Sequence, residues 1–311
     1  MDKSAKVYVA GHRGLVGSAI VRKLQSEGYQ NLITRTSGEL DLTDSAATAQ
    51  FFDSEKPEYV FLAAAKVGGI LANSLQGADF ICENILIQSN VITNSHRTDV
   101  KKLLFLGSSC IYPRMAPQPI REDCLLDGKL EETNKPYAVA KIAGITMCQA
   151  YNQQYGTRYI SVMPTNLYGP NDNFDLNSSH VLPALIRKMH DARIMYKPEV
   201  SVWGTGTPKR EFLHVDDLAA ACLFLMQNYE DSEIINIGTG DDISIKDLAE
   251  MVKEVIGYQG RLVFDASKPD GTPRKLLDVS KINSIGWKAT IDLQTGIEQT
   301  YKWFLQTHYR K

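Results

Sequence analysis

A chain of 311 residues is long enough to bury a sizeable core, as one large α/β unit or as two coupled lobes. Its 34 basic and 36 acidic residues give a net charge of −2, whereas nucleic-acid-binding proteins usually carry a basic surplus. No apolar run approaches the roughly 20 residues of a membrane span, and the start of the chain lacks a signal-peptide pattern. The sequence therefore predicts neither a nucleic-acid partner nor a membrane partner.

The cysteines are five in number and include no Cys-x-x-Cys pair. An odd count without such pairs argues against a disulfide framework and against a zinc site. Free thiols are typical of a reducing compartment. We therefore expect a cytoplasmic protein without a metal site. The cysteines are Cys82, Cys110, Cys124, Cys148 and Cys222.

Strand and helix patterns alternate along the first half of the chain. The alternation predicts a doubly wound parallel sheet of the Rossmann type. Predicted strands lie at 6–10, 31–34, 59–65, 102–106 and 159–163, and predicted helices at 18–28, 48–55, 79–96 and 137–155.

After Pro164 the pattern becomes mixed. A capping-box-like start at Ser244 and a glycine stop at Gly257 mark one of the helices. We expect a cofactor-binding Rossmann domain over 1–165, to which later segments near 200–240 partly return, and a smaller mixed α/β lobe for the substrate over 166–311. The other predicted elements are helices at 182–190 and 215–227 and strands at 200–203 and 234–237.

Three glycines, Gly11, Gly14 and Gly17, lie between the first strand and the first helix. Glycine allows a tight turn there and lets backbone N–H groups approach a pyrophosphate at the helix N-terminus. The spacing alone is a weak signal, but its place between a strand and a helix favours a dinucleotide site over an incidental turn.

Charge at the end of the second strand distinguishes the two nicotinamide cofactors. An NAD site usually has a carboxylate there, whereas this sequence has Arg35, with Arg13 inside the glycine loop. Two guanidiniums favour the 2′-phosphate of NADP(H). Glu39 and Asp41 follow closely, and two solvated surface arginines are the alternative interpretation.

Tyr137 and Lys141 are four residues apart on a predicted helix, so their side chains share one face. An ammonium beside a phenol favours phenolate, and we expect it to lower the pKa of Tyr137. Ser108 ends the fourth predicted strand, at the edge of the sheet where ligands bind. The three residues predict an acid/base pair with an orienting hydroxyl around one substrate oxygen.

Together these motifs resemble the extended short-chain dehydrogenase/reductases and, within them, the GDP-L-fucose synthase family. The resemblance extends over nearly the whole chain. The segments that carry it are Ala10–Gly14, Ala63–Ile70, Leu104–Pro113, Pro164–Pro170, Arg210–Asp217 and Phe264–Lys275.

The resemblance implies an NADPH-dependent oxidoreductase and epimerase. Its substrate would be GDP-4-keto-6-deoxy-D-mannose, which is epimerised at C3 and C5 and then reduced at C4 to give GDP-L-fucose. Inversion at these carbons needs a base on one face of the ring and an acid on the other, and Cys110 and His180 match that pair. A cysteine can be the base if a cationic neighbour favours its thiolate.

The resemblance also implies the ligand contacts. Lys188, Trp203, Arg210 and Asp270 match residues that bind the GDP moiety. The family has a second arginine after the one matching Arg35, and this chain has Ser37 instead. The expected NADP(H) contacts are Gly11, His12, Arg13, Gly14, Leu15, Val16, Gly17, Arg35, Asp41, Leu42, Leu106, Gly107, Ser108, Ser109, Tyr137, Lys141, Pro164, Thr165, Asn166, Leu167 and His180.

Two other functions fit the same motifs. A C4 reductase, with or without epimerisation, would act on a related GDP-4-keto-6-deoxy sugar such as a heptose or dideoxyhexose. A non-catalytic cofactor sensor would keep the glycine loop, although such proteins commonly lose the tyrosine–lysine pair that this chain retains. The resemblance also implies a homodimer, paired through the helices near 79–96 and 137–155.

Overall fold

The computed structural model describes residues 1–176, 178–268 and 270–308, so the last three residues of the expected second domain lie outside the described chain. Strands and helices are numbered separately in chain order. The strands are β1 (Val7–Ala10), β2 (Leu32–Ile33), β3 (Tyr59–Leu62), β4 (Lys102–Leu106), β5 (Tyr159–Pro164), β6 (Asn166–Tyr168), β7 (Glu199–Trp203), β8 (Lys209–Arg210), β9 (Phe212–His214), β10 (Ile235–Ile237), β11 (Ile243–Ser244), β12 (Arg261–Asp265) and β13 (Arg274–Lys275).

The helices flank these strands. They are α1 (Leu15–Ser26), α2 (Ser45–Glu55), α3 (Ile70–Leu75), α4 (Gly77–Arg97), α5 (Lys135–Tyr155), α6 (Val181–Ile194), α7 (Val215–Asn228), α8 (Ile245–Ile256), α9 (Ser280–Ser284) and α10 (Leu293–His308). Within the described ranges, no helix combines the length and the apolar content needed to cross a bilayer.

A six-stranded parallel sheet in the order β10-β5-β4-β3-β1-β2 forms the centre of the molecule. Every residue of β1, β4 and β5 is buried, because helices cover both faces of a doubly wound sheet. The order runs outward in both directions from β1 and β3, which leaves a crevice at the carboxyl ends of the strands. The predicted Rossmann fold is confirmed.

Two apolar cores occupy the molecule. The first surrounds the central sheet and takes in α7, β10 and residues 277–287 as well as the first half of the chain. The second lies among α6, β7, α8 and α10. Three small sheets, β11-β8-β13, β12-β7 and β6-β9, accompany the second half. The chain thus returns to the first core after entering the second.

Several elements differ from the sequence predictions. Helix α1 begins at Leu15 rather than Ser18, because Gly14 has extended backbone and begins the helix directly. Of the two-residue strands only β2 was predicted, because so short a strand carries no periodic signal, and β6, β9, β12, α3 and α9 were not predicted either. Helix α10 was also missed, although it buries Ile297, Tyr301 and Phe304 at helical spacing.

The predicted cap of α8 is present. The Ser244 hydroxyl accepts the Asp247 N–H at 3.0 Å and donates to the Asp247 carboxylate at 2.6 Å. Gly257 ends the helix with φ +73°. The serine caps α8 as expected, and the short aspartate holds the serine hydroxyl.

Candidate active site

The glycine loop between β1 and α1 has a backbone shape that side chains would disrupt. Gly11 has φ +82°, and a Cβ there would lie 2.8 Å from the backbone nitrogen of Ala64. A Cβ on Gly17 would lie 2.1 Å from the carbonyl oxygen of Gly11. Gly14 precedes α1 and has no side chain to cap it, so the first N–H groups of the helix stay open to an anion. The loop fits the pyrophosphate of a dinucleotide.

The other loop residues have different surroundings. Leu15 and Val16 pack against the first core, while Arg13 is exposed. The Nδ1 atom of His12 is buried and has no hydrogen-bond partner among the described residues. A buried ring nitrogen without a partner is costly, so it too fits a polar ligand in this loop.

The two arginines expected near the cofactor lie close to one carboxylate. Thr36 hydrogen bonds, followed by the charges of Arg35 and Arg13, hold the pKa of Glu39 below its ordinary value. Arg35 also forms an ion pair with Glu55 on α2. The positive charge available to a 2′-phosphate is therefore smaller than the sequence alone predicts, because carboxylates already share it.

Asp41 and Leu42 lie just beyond these arginines. The Asp41 carboxylate accepts the hydroxyl of Thr43 at 2.7 Å and its N–H at 2.9 Å, and these bonds lower the pKa of Asp41. Leu42 is buried, and its carbonyl accepts an amide N–H of Asn90 at 2.8 Å. The contact of these two residues with NADP(H) stays a prediction.

The ends of β4 and β5 form the part of the crevice nearest the sheet. Gly107 is required there, because a Cβ would lie 2.3 Å from the methyl carbon of Met163. Ser109 is buried behind it. Past Pro164, the hydroxyl of Thr165 and the amide of Asn166 both donate to the Glu211 carbonyl, at 3.3 and 2.7 Å. Leu167 follows in β6, half-buried.

Ser108, Tyr137 and Lys141, here called the reduction triad after the role predicted for them, come from the turn after β4 and from α5. Lys141 is buried and donates to the Leu106 carbonyl at 2.7 Å. Its Nζ lies 5.7 Å from the centre of the Tyr137 ring. Burial lowers the pKa of Lys141 to about 8. The Ser108 hydroxyl accepts the backbone N–H of Cys110 at 3.3 Å.

The predicted lowering of the Tyr137 pKa is wrong for the free protein. Burial, and then the nearby Cys110, raise the pKa of Tyr137 instead. The Lys141 ammonium is committed to a backbone carbonyl, so its charge does not offset the loss of hydration around the phenol. Tyr137 is therefore a neutral phenol that can donate a proton.

Cys110, His180 and Lys275, here called the inversion set, come from three distant segments. Cys110 lies in the short turn after β4, His180 begins α6 and Lys275 ends β13. Burial raises the pKa of the Cys110 thiol, and the charge of Lys275 is the largest influence that lowers it. The surrounding protein, and then Lys275, lower the pKa of His180.

The His180 side chain is nevertheless accessible to solvent. The imidazole is therefore open to a ligand, although the surrounding protein lowers its pKa. Lys275 is half-buried.

The four residues expected to bind GDP form two neighbouring pairs. The Nζ atom of Lys188 lies 5.4 Å from the centre of the Trp203 ring, which is 49% exposed. The Arg210 guanidinium donates to the Asp270 carbonyl at 3.2 Å. The Asp270 carboxylate accepts the N–H of Thr205 at 2.8 Å, close to Trp203 in the chain. An exposed aromatic ring thus lies in the same region as a lysine, an arginine and an aspartate.

Sequence reasoning missed three charged residues at this site. Lys275 lies beside Cys110, and the Nζ of Lys268 lies 5.5 Å from the Trp203 ring centre on the loop that carries Asp270. Glu211 is fully buried and accepts the N–H groups of residues 239, 240 and 277. All three lie within segments that carried the resemblance, so that match was the available signal.

Comparison with known proteins gives the family. The model of the NAD dependent epimerase/dehydratase family matches residues 7–238. The chain belongs to this family. It is 60% identical over 311 residues to a putative GDP-L-fucose synthase 2 of Arabidopsis thaliana, covering 100% of this chain and 95% of that protein. The predicted resemblance to the GDP-L-fucose synthases is confirmed.

Two further relatives agree. The GDP-L-fucose synthase of Escherichia coli K12 is 55% identical over 314 residues, covering 98% of each chain. A solved structure of a GDP-mannoheptose C4 reductase from Campylobacter jejuni with NADP bound has a TM-score of 0.92 and 46% identity, covering 98% of this chain and 99% of that one. Proteins named as a GDP-L-fucose synthase and as a GDP-mannoheptose C4 reductase thus both resemble the chain over nearly its whole length.

Proposed function

We propose that this protein is an NADPH-dependent 3,5-epimerase and 4-reductase that converts GDP-4-keto-6-deoxy-D-mannose to GDP-L-fucose. The observation that carries the proposal is the position of Cys110 beside both Tyr137 and Lys141. This arrangement puts a group for inversion next to the groups for ketone reduction. The identity of 55–60% to named GDP-L-fucose synthases supports the same substrate.

Reduction needs a proton for the ketone oxygen O4. A nicotinamide, when bound, would supply hydride to C4. Tyr137 is a neutral phenol near Cys110, whose N–H the Ser108 hydroxyl accepts, so Tyr137 donates the proton to O4 while Ser108 orients that oxygen. Lys141 fixes the end of β4 through the Leu106 carbonyl and supplies positive charge near the nicotinamide ribose.

Epimerisation uses the same ketone in a different way. The protons on C3 and C5 are both α to C4, so removal of either places negative charge on O4. Tyr137 and Ser108 stabilise that charge with hydrogen bonds. Cys110 removes the proton from one face of the ring, and His180 returns a proton to the other face.

The glycine loop and the two arginines support NADP(H) as the cofactor. Arg13 and Arg35 supply the charge for a 2′-phosphate, and the related reductase from Campylobacter jejuni binds NADP. Because Glu39 and Glu55 share that charge and Ser37 replaces an arginine, we expect a moderate preference over NADH.

Product analysis tests the proposal. The protein is incubated with GDP-4-keto-6-deoxy-D-mannose and NADPH in D₂O, and the product is identified by NMR. We expect GDP-L-fucose with deuterium at C3 and C5. A reduced sugar without deuterium at these carbons would leave reduction in place and refute epimerisation. Absence of NADPH oxidation would refute reduction, and absence of both NADPH oxidation and deuterium incorporation would refute both activities.

A second candidate is a C4 reductase of a related GDP-linked heptose. The observation that favours it is the TM-score of 0.92 to the GDP-mannoheptose C4 reductase. The heptose substrate differs from the deoxyhexose beyond C5, so relative kcat/KM values for the two keto sugars decide between the candidates. We expect the deoxyhexose to be preferred.

The proposal includes a homodimer. Helices α4 and α5 pack on each other and leave Ile85, Leu86 and Val139 exposed. Exposed apolar side chains on two adjacent long helices suit a four-helix interface with a second copy. Light scattering that gave the mass of one chain at micromolar concentration would refute the dimer.

A further inference from the structure

Strand pairing and backbone hydrogen bonds fix the position of Lys275. Strand β13 pairs with β8 in parallel, with Lys275 opposite Arg210. The Glu211 N–H donates to the Lys275 carbonyl at 3.3 Å, and the Glu211 carboxylate accepts the Leu277 N–H at 3.0 Å. Glu211 therefore fixes the chain at Lys275 and two residues after it.

The side chains of Cys110 and Lys275 line one cavity of about 30 Å³. A cavity of that size has room for a water molecule. Asn134 and Thr272 line it as well, and so do three charged residues, Arg114, Glu131 and Arg274. Arg114 pairs with Glu131 and Arg274 pairs with Asp242, so their charges are already matched. The thiol and the ammonium can therefore interact directly or through a water.

Cys110 needs such a partner, because its surroundings oppose a thiolate. Burial raises its pKa, while Lys275, the Ser108 hydrogen bond and Lys141 lower it, in that order of size. Lys141 is held by the Leu106 carbonyl, which leaves Lys275 as the main cation facing the sulfur. Neutral Tyr137 adds no charge.

The charges around Lys275 itself are mixed. Burial and Arg210 disfavour its ammonium, whereas Cys110 and Glu211 favour it. A thiolate on Cys110 and an ammonium on Lys275 thus stabilise each other. The same ammonium weakens the hold of His180 on a proton, which makes the imidazolium a stronger acid.

We propose that Lys275 is a positioning residue for epimerisation, whose ammonium holds Cys110 in the thiolate form that removes the protons at C3 and C5. The inference rests on the proposed function. In each inversion the thiolate takes the proton, the electron pair of the C–H bond becomes the enolate with its charge on O4, and the imidazolium of His180 protonates the carbon from the opposite face. One proton passes to sulfur and one leaves His180.

Thiolate absorbance near 240 nm measures this effect without substrate. The pH titration of Cys110 is taken as the difference between each protein and its Cys110→Ser derivative. In Lys275→Met we expect the apparent pKa of Cys110 to rise by at least about one unit, and in Lys275→Arg to stay near wild type. Lys101→Met, at the opposite end of β4, is the matched control and should not move it. Superimposable titrations of wild type and Lys275→Met would overturn the inference.

Deuterium exchange at C3 and C5 in D₂O without NADPH measures the consequence. We expect Lys275→Met to slow exchange at least about tenfold, more than it slows reduction, with partial recovery in Lys275→Arg. Equal losses of exchange and reduction, without recovery in Lys275→Arg, would mean a merely structural role. If Lys275→Met does not fold, Lys275→Gln takes its place. If wild type itself exchanges nothing, the proposed function fails while the titration still tests Lys275.

Discussion

The reduction triad and the inversion set lie side by side but are assembled differently. Ser108 lies in the turn after β4, Tyr137 and Lys141 lie on α5, and both segments contribute residues to the first core. Cys110 belongs to the same turn, but its partners His180 and Lys275 come from α6 and β13. The triad thus depends on one local unit, while the inversion set depends on how the second half of the chain docks against the first.

Substitution of Tyr137, which is proposed to contact O4 in both reactions, should slow reduction and epimerisation together and have the largest effect. Tyr137→Phe removes the proton donor for reduction and a hydrogen bond to O4 in the enolate. We expect NADPH oxidation to fall by about 10²–10⁴ and exchange at C3 and C5 to fall with it. Stopped-flow absorbance and NMR measure the two rates. Fast exchange in this variant would show that Tyr137 serves reduction alone.

Cys110→Ser should separate epimerisation from reduction. A serine hydroxyl does not ionise near neutral pH, so we expect epimerisation to fall by about 10²–10⁴ while reduction persists. The product should be a reduced sugar without deuterium at C3 and C5. His180→Gln provides the companion variant: it should also block inversion, but deuterium should still enter C3 and C5 because Cys110 can remove and return a proton on its own face. If Cys110→Ser yielded GDP-L-fucose at the wild-type rate, Cys110 would not be the base.

The rate of reduction should decline at alkaline pH because Lys141 loses its proton. Its pKa is lowered to about 8, so its ammonium is lost as pH rises through that value. Tyr137, with its pKa raised, stays protonated there. We expect kcat/KM for reduction to decline above about pH 8, by up to about tenfold per unit. In Lys141→Arg the side chain keeps its charge, so the decline in kcat/KM should disappear. An unchanged decline in this variant would mean that another group causes it.

Glu211→Gln should weaken the docking between the halves and have the smallest effect. The change places an amide where a carboxylate accepts the N–H groups of Thr239, Gly240 and Leu277. We expect a loss of about 1–3 kcal/mol in the free energy of unfolding and a larger rise in KM for the GDP-sugar than fall in kcat. Glu250→Gln on the exposed side of α8 is the control. An unchanged Tm would contradict the role given to Glu211.

Much of the first half was predictable. Continuous apolar strands, the glycine loop and the Tyr137–Lys141 spacing are local patterns, and the parallel sheet follows them closely. The missed elements lie mainly after Pro164, where two-residue strands such as β8 and β13 form only because their partners meet in space. Helix α10 was readable from its apolar spacing but was overlooked.

The sequence by itself determined the fold class and the family resemblance and predicted the reduction triad, because each depends on residue types at short spacing. Only the tertiary structure decided that Arg35 is shared with Glu55, that Tyr137 has a raised pKa and that Lys275 faces Cys110. The reason is physical: burial and the distances between charges set ionisation, and both arise when segments far apart in the chain pack together.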